Sequence, residues 1–171
     1  MTGGLSKTFN PIAFNADDLM SWAKRVGFRY AVLTTKHHDG FAMWNTSAHG
    51  SPGQPLYGVC GADSPCQRDL FGEITSAARR QGLGIGAYFS KADWHAGSYW
   101  QAPQTVAGST GFPENTGVNY NFTDTVNGGA QKLATFNAFN EQQLLEIVGT
   151  RTCMCNCSIG LSHSNVFVGW V

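Results

Sequence analysis

Residues 16–44 read ADDLMSWAKRVGFRYAVLTTKHHDGFAMW. In the first part, Leu19, Trp22, Ala23 and Val26 recur at the spacing of one helical face. Asn15 stands where an N-cap belongs, Asp17 and Asp18 suit the positive helix end, and Lys24 and Arg25 suit the negative one. Gly27 supplies a left-handed stop, so the spacing predicts a helix over 16–26. The run Tyr30-Ala31-Val32-Leu33-Thr34-Thr35 follows directly, rich in β-formers and apolar at most positions. Such a run suits a strand covered on both faces, as in a parallel sheet. The polar cluster Lys36-His37-His38-Asp39-Gly40 then falls just past the strand's C-terminal end.

Working outward, the pattern repeats. A second helix is predicted from about Asp69, with Leu70, Ile74, Ala77 and Ala78 on one face and Gly82 ending it. A second strand is predicted over 83–89. Helix, strand, helix, strand at this spacing marks right-handed parallel crossover units, so the fold class is α/β. From Trp94 to Gly129 no period is visible, and a loop of that length inside a domain is usually functional or disordered. A third helix is predicted over 131–148, with Leu133, Phe136, Leu144, Ile147 and Val148 as its buried stripe. Residues 1–148 read as one unit and 149–171 as a separate Cys-rich tail. That tail has no Asp or Glu; the last carboxylate side chain in the sequence is Glu146.

Bulk properties narrow the function classes. The chain has 171 residues, with 42% hydrophobic and 13% charged, a globular rather than a disordered composition. Eleven basic residues balance eleven acidic ones, which gives no electrostatic case for nucleic acid or an anionic membrane surface. The start, MTGGLSKTFNP, has no apolar run of a signal peptide, and no stretch has the length of a membrane span. Cys60 and Cys66 are spaced for a short loop disulfide or stand as two thiols. Asn45-Thr46-Ser47, Asn121-Phe122-Thr123 and Asn156-Cys157-Ser158 fit the N-glycosylation pattern.

The densest chemistry lies at residues 36–44. The C-terminal edge of a parallel sheet is where the loops converge on an active site. Two neutral imidazoles, His37 and His38, offer donors and acceptors suited to sugar hydroxyls. Gly40 lets the backbone turn, and Trp44 offers an apolar face to a pyranose. Neighbouring histidines on extended backbone point to opposite sides, so a shared metal ion is not expected. A polar strand end with hydrogen-bonded histidines is the plainer alternative. The second strand ends similarly, in Tyr88, Asp93, Trp94 and His95. Two adjacent strands ending this way favour one shared site.

The segment Thr34-Thr35-Lys36-His37-His38-Asp39-Gly40-Phe41 followed by Trp44 resembles the diagnostic segment of the α-L-fucosidase glycoside hydrolases. Phe9-Asn10-Pro11, Phe14, Asn15-Ala16-Asp17, Gly27-Phe28-Arg29-Tyr30, Arg68-Asp69, the run from Gly84 to His95, and Gly117-Val118-Asn119-Tyr120 fit the same pattern in order. The resemblance covers about 9–148. It implies part of a (β/α)8 barrel running from the first helix to the third, with parallel strands second and third in the barrel. It also implies hydrolysis of terminal α-L-fucosyl linkages with retention, through a nucleophilic carboxylate and a second carboxyl group.

By this resemblance His37 and His38 contact fucose hydroxyls, and Trp44, Tyr88 and Trp94 line the pocket. Lys36, Asp39, Gly40 and Asp93 support the motif. The ligand is a fucosylated glycan or glycoside, with no cofactor. Relatives of this kind are typically secreted, periplasmic or lysosomal, whereas no targeting segment is expected from the start MTGGLSKTFNP. The family's first strand is expected before residue 9, where only eight residues stand. The family's nucleophile-bearing strand is expected after the third helix, but Asn165-Val166-Phe167-Val168-Gly169-Trp170-Val171 holds no carboxylate. The chain is therefore expected to be a truncated form lacking nucleophile and acid/base. The alternatives are a non-catalytic carbohydrate-binding remnant, or a hydrolase using Asp39 and Asp93 as an improvised pair.

Overall fold

The computed structural model describes residues 6–101, 118–119, 128–149, 157–161 and 165–170. Three helices, α1 (Ala16–Arg25), α2 (Leu70–Arg80) and α3 (Gly129–Ile147), accompany two seven-residue strands, β1 (Tyr30–Lys36) and β2 (Gly84–Ser90). Two-residue strands β3 (Trp100–Gln101) and β4 (Val118–Asn119) pair antiparallel inside the segment expected to lack regular structure. Strands β5 (Cys157–Leu161) and β6 (Asn165–Trp170) complete the order.

Local chemistry explains the first unit well. The Asn15 side chain accepts from the amides of Asp17 and Asp18 at 3.0 and 3.2 Å, satisfying two of the donors a helix start leaves over. At the other end Gly27, at φ +95°, takes the left-handed position. It allows Phe28 N–H to reach Ala23 O and Gly27 N–H to reach Lys24 O, the double bond of a Schellman stop. Helix α2 is capped by Asp69, whose carboxylate accepts from Gly72 N–H at 2.8 Å. The main sheet has order β1-β2-β6-β5. β1 and β2 pair in parallel, Tyr30 opposite Gly84 and Thr34 opposite Tyr88.

The expectation of parallel strands holds for β1 and β2 but not for the rest of the sheet. β6 joins β2 antiparallel, and β5 pairs antiparallel with β6 on the far side. β5 therefore runs in the direction of β1 and β2, but one place further out. Only residues 162–164 separate β5 from β6 in sequence, a spacing that returns one strand antiparallel beside the other.

The main core lies on one face of the β1–β2 pair. Ile85, Ala87 and Phe89 from β2 pack with Met20 and Ala23 of α1, Phe71, Ile74, Ala77 and Ala78 of α2, and Ile147 of α3. The buried stripe of α1 is thus Ala16, Met20 and Ala23, a correction to the expected one. Leu19, Trp22 and Val26 are exposed, Trp22 by half, and Trp22 packs edge-on against Phe28 instead. In α3, Phe136 and Ile147 are buried as expected, Leu144 and Val148 are partly buried against the core, and Leu133 is exposed. Phe139, Asn140 and Gln143 are buried too, two of them polar. The opposite face of β1, carrying Tyr30, Val32 and Thr34, is open among the described residues.

Candidate functional site

The site begins with an irregularity in β1. Along a strand, side chains alternate between faces, which would place Lys36 with Tyr30, Val32 and Thr34 on the open side. The register shifts between Thr34 and Lys36, so that Lys36, not Thr35, stands opposite Phe89. Thr35 Oγ1 donates to Tyr88 O at 2.8 Å across the break. Such bulges re-aim side chains beside functional sites. Here Lys36 turns into the helix side, and the two histidines after it are set over the open side.

Lys36 is 1% exposed. Its ammonium donates to Asp93 Oδ2 and to Gln143 Oε1, both at 2.9 Å, and lies 4.3 Å from the Phe89 ring centroid and 4.9 Å from that of Phe139. Burial pushes the Lys36 amine below its usual range, and the adjacent Asp93 carboxylate opposes this. Asp93 spends its other oxygen on the amides of His95 and Ala96, at 2.9 and 2.8 Å. One carboxylate thus fixes the turn after β2 and neutralises the lysine at the end of β1. Gly40 completes the arrangement. Its φ is +81°, and a Cβ there would collide with Asp93 Oδ1.

His37, His38, Tyr88 and Trp94 come together on the open side. The His37 and Tyr88 rings stack at 5.6 Å with 18° between planes, and the His37 and His38 rings meet edge-on at 4.5 Å. His38 lies 5.3 Å from the Trp94 ring, and its carbonyl accepts from Trp94 N–H at 2.7 Å. The result is a half-exposed aromatic surface with imidazole edges in it. Such a surface meets the apolar face of a sugar while its nitrogens hydrogen-bond hydroxyls.

Trp44 is not brought to this surface. It is 0% exposed, part of the core beside Phe89 at 6.4 Å, and its indole N–H donates to Glu146 Oε2 at 2.9 Å. Glu146 Oε1 accepts from the amide and hydroxyl of Ser47 at 2.9 and 2.7 Å. Burial alone would raise the Glu146 pKa, but the donors from Ser47, Trp44 and Thr46 outweigh it and hold the carboxyl below its usual range. Asp39 sits at the turn. Desolvation by the surrounding chain raises its pKa, the Asp93 charge adds to this, and the Phe41 amide opposes it. Among the described residues no group of three His, Cys, Asp or Glu side chains is placed to hold a metal ion, and Cys60 and Cys66 are not joined. Asn121 and Asn156 of the glycosylation patterns lie outside the described residues.

Several partners were not legible from sequence. Ser90, buried at the end of β2, meets His38 Nδ1 at 2.5 Å. His95 stacks on Tyr57 at 3.7 Å, and desolvation lowers its pKa against the nearby Asp93 and Asp39 charges. Gln54 ties the loop after Trp44 to the turn after β2, donating to His95 O at 2.6 Å. Loop residues such as Tyr57 and Gln54 follow no period, so only the shared strand edge pointed toward them.

The α-L-fucosidase family matches residues 4–150, and the chain belongs to that family. Alpha-L-fucosidase 1 of Arabidopsis thaliana is 36% identical over 91 residues, 53% of this chain and 17% of its own length. A solved α-L-fucosidase from Bacteroides thetaiotaomicron superimposes with a TM-score of 0.64 at 25% identity, over 87% of this chain and 27% of that one. The trapped covalent intermediate of a Bacteroides thetaiotaomicron fucosidase with 2-fluoro-fucosyl fluoride matches with the same TM-score and identity. The α/β arrangement with its parallel β1–β2 pair and three helices therefore corresponds to part of these enzymes. The chain spans about a sixth of the curated relative's length, as its 17% coverage states.

Proposed function

We propose that the chain is the section of an α-L-fucosidase (β/α)8 barrel from the first helix to the third, and that it supplies the fucose-binding histidines. The observation behind this is the convergence of Tyr88, near the C-terminal end of β2, with His37, His38 and Trp94 just beyond the ends of the two parallel strands. Barrel enzymes build their sites at that edge. His37 and His38 take the sugar hydroxyls, while Tyr88 and Trp94 cover its apolar side. Trp44 acts through the packing beneath this surface, and Lys36, Asp39, Gly40 and Asp93 shape the loops that carry it. The substrate class is a terminal α-L-fucosyl group on a glycan or glycoside.

Retaining cleavage needs two carboxyl groups roughly 5–5.5 Å apart with the sugar between them. Asp93 is unsuited to that work, because it is buried with one oxygen on Lys36 and the other on two amides. Residues 149–171 contain no Asp or Glu. For these 171 residues taken by themselves, fucose binding without turnover is the reading these facts favour, with hydrolysis belonging to the whole relatives. The test is nitrophenol release from an aryl α-L-fucoside by the purified chain, alongside thermal melting with and without L-fucose. A melting shift without turnover supports the proposal, and turnover abolished by D39N would replace it with the improvised-pair reading.

A further inference from the structure

Ser90 carries an inference that deepens the fucose-binding reading and rests on it for the ligand alone. The side chain is completely buried at the end of β2, so water does not supply its hydrogen bonds. Its hydroxyl has two neighbours, Ala92 O at 3.0 Å and His38 Nδ1 at 2.5 Å. A serine hydroxyl has one proton to give. A carbonyl oxygen accepts only, so the contact with Ala92 O requires that proton. The Ser90 oxygen must then accept at its other contact, and His38 Nδ1 must carry a hydrogen. Reversing both roles would press two lone pairs together at Ala92 O inside a buried site, an uncompensated cost.

We infer that Ser90 is a positioning residue that locks neutral His38 in its Nδ1–H form, leaving Nε2 as a bare acceptor for a hydroxyl proton of the sugar. The identity of the protonated ring nitrogen is set by the bond the other one makes, here a bond to a buried hydroxyl that is itself fixed by a backbone carbonyl. Among the described residues none hydrogen-bonds Nε2. The Trp94 ring beside the imidazole and the Trp94 amide on the His38 carbonyl hold the ring and its backbone in place. At this nitrogen the site selects a donor: a ligand hydroxyl fits, whereas fluorine or an ether oxygen at the same position has no proton to give.

Long-range proton–nitrogen correlation spectra of the ¹⁵N-labelled chain test this directly, recorded well above the ordinary imidazole pKa of about 6.5. The expected result is a protonated-type Nδ1 and an unprotonated-type Nε2 for His38. Ser90→Ala should shift the ring toward the Nε2–H form and weaken L-fucose binding about fivefold to tenfold, the scale of one net hydrogen bond. Ser90→Thr, which keeps the hydroxyl, should restore the Nδ1–H pattern. An Nε2–H pattern in the unaltered chain overturns the inference, as does an unchanged pattern in Ser90→Ala. Because the spectrum is read without sugar, an Nδ1–H pattern together with no fucose binding would sink the fucose reading and leave the Ser90 assignment standing.

Discussion

Lys36 shows what a single residue contributes. An ammonium removed from water is costly unless a counter-charge and further acceptors meet it, and Asp93 and Gln143 do so from two other segments. Removing one member leaves the other charge buried alone. Lys36→Met is expected to destabilise by about 3–5 kcal/mol in urea unfolding. Adding Asp93→Asn to that variant should recover much of the loss, because the amide oxygen still accepts from His95 and Ala96 while the orphaned charge disappears. Gly40→Ala should cost about 1–3 kcal/mol from the left-handed backbone alone. The Cβ clash with Asp93 adds to that and should broaden the His95 and Ala96 amide signals. The motif residues Lys36, Gly40 and Asp93 were legible as a group in the sequence. Their division of labour was not, because it depends on a one-residue register shift that no periodicity reports. Trp44 is the clearest case: an aromatic after a site motif reads as a pocket wall, yet its N–H is spent on Glu146 and its ring on the core.

At the scale of elements, the helices and their caps were readable because they rest on local chemistry. Asn15, Gly27 and Asp69 act as their residue types predict. Asn15→Ala is expected to lower stability by about 1 kcal/mol, measured by chemical denaturation. Which face of each helix turns inward was less readable, since Leu19 and Trp22 are as apolar as the buried Met20. Helix α3 shows the reason most plainly. Asn140 and Gln143 are buried, and Gln143 is inward because a lysine from β1 needs its acceptor, a long-range requirement absent from the helix's own pattern. The same helix is tied to the loop after β1 through Glu146. Its folded pKa lies below the ordinary 4.5, so the ionised carboxylate contributes stability that is present above that pH and lost as pH falls through the folded value. Glu146→Gln should therefore be less stable than the parent at neutral pH, with the gap closing on acidification below about 4.5, as followed by thermal melts across pH.

At the scale of the whole molecule, the helix-covered face of the β1–β2 pair is finished, while the outer face of β1 is open among the described residues. Helices cover Ile85, Ala87 and Phe89, whereas Tyr30 is 69% and Val32 52% exposed on β1, the edge strand of the sheet. Apolar side chains on an open edge strand invite association with another chain. Val32→Lys should reduce self-association in light scattering without shifting the melting midpoint by more than a degree or so, since Val32 has little packing to lose. The alternation of helix and strand made the parallel pair legible from sequence. The antiparallel placement of β5 and β6 was not, because a tail without a clear period leaves both direction and order of its strands open.

If His37 and His38 form the polar part of a fucose site, a titration read at those two rings will register the sugar. With ¹⁵N-labelled chain, added L-fucose should shift the imidazole signals of His37 and His38 saturably, while its mirror image, D-fucose, should leave them in place. Signals that stay unmoved by L-fucose, or that move equally with both enantiomers, would show that these histidines do not form a fucose site.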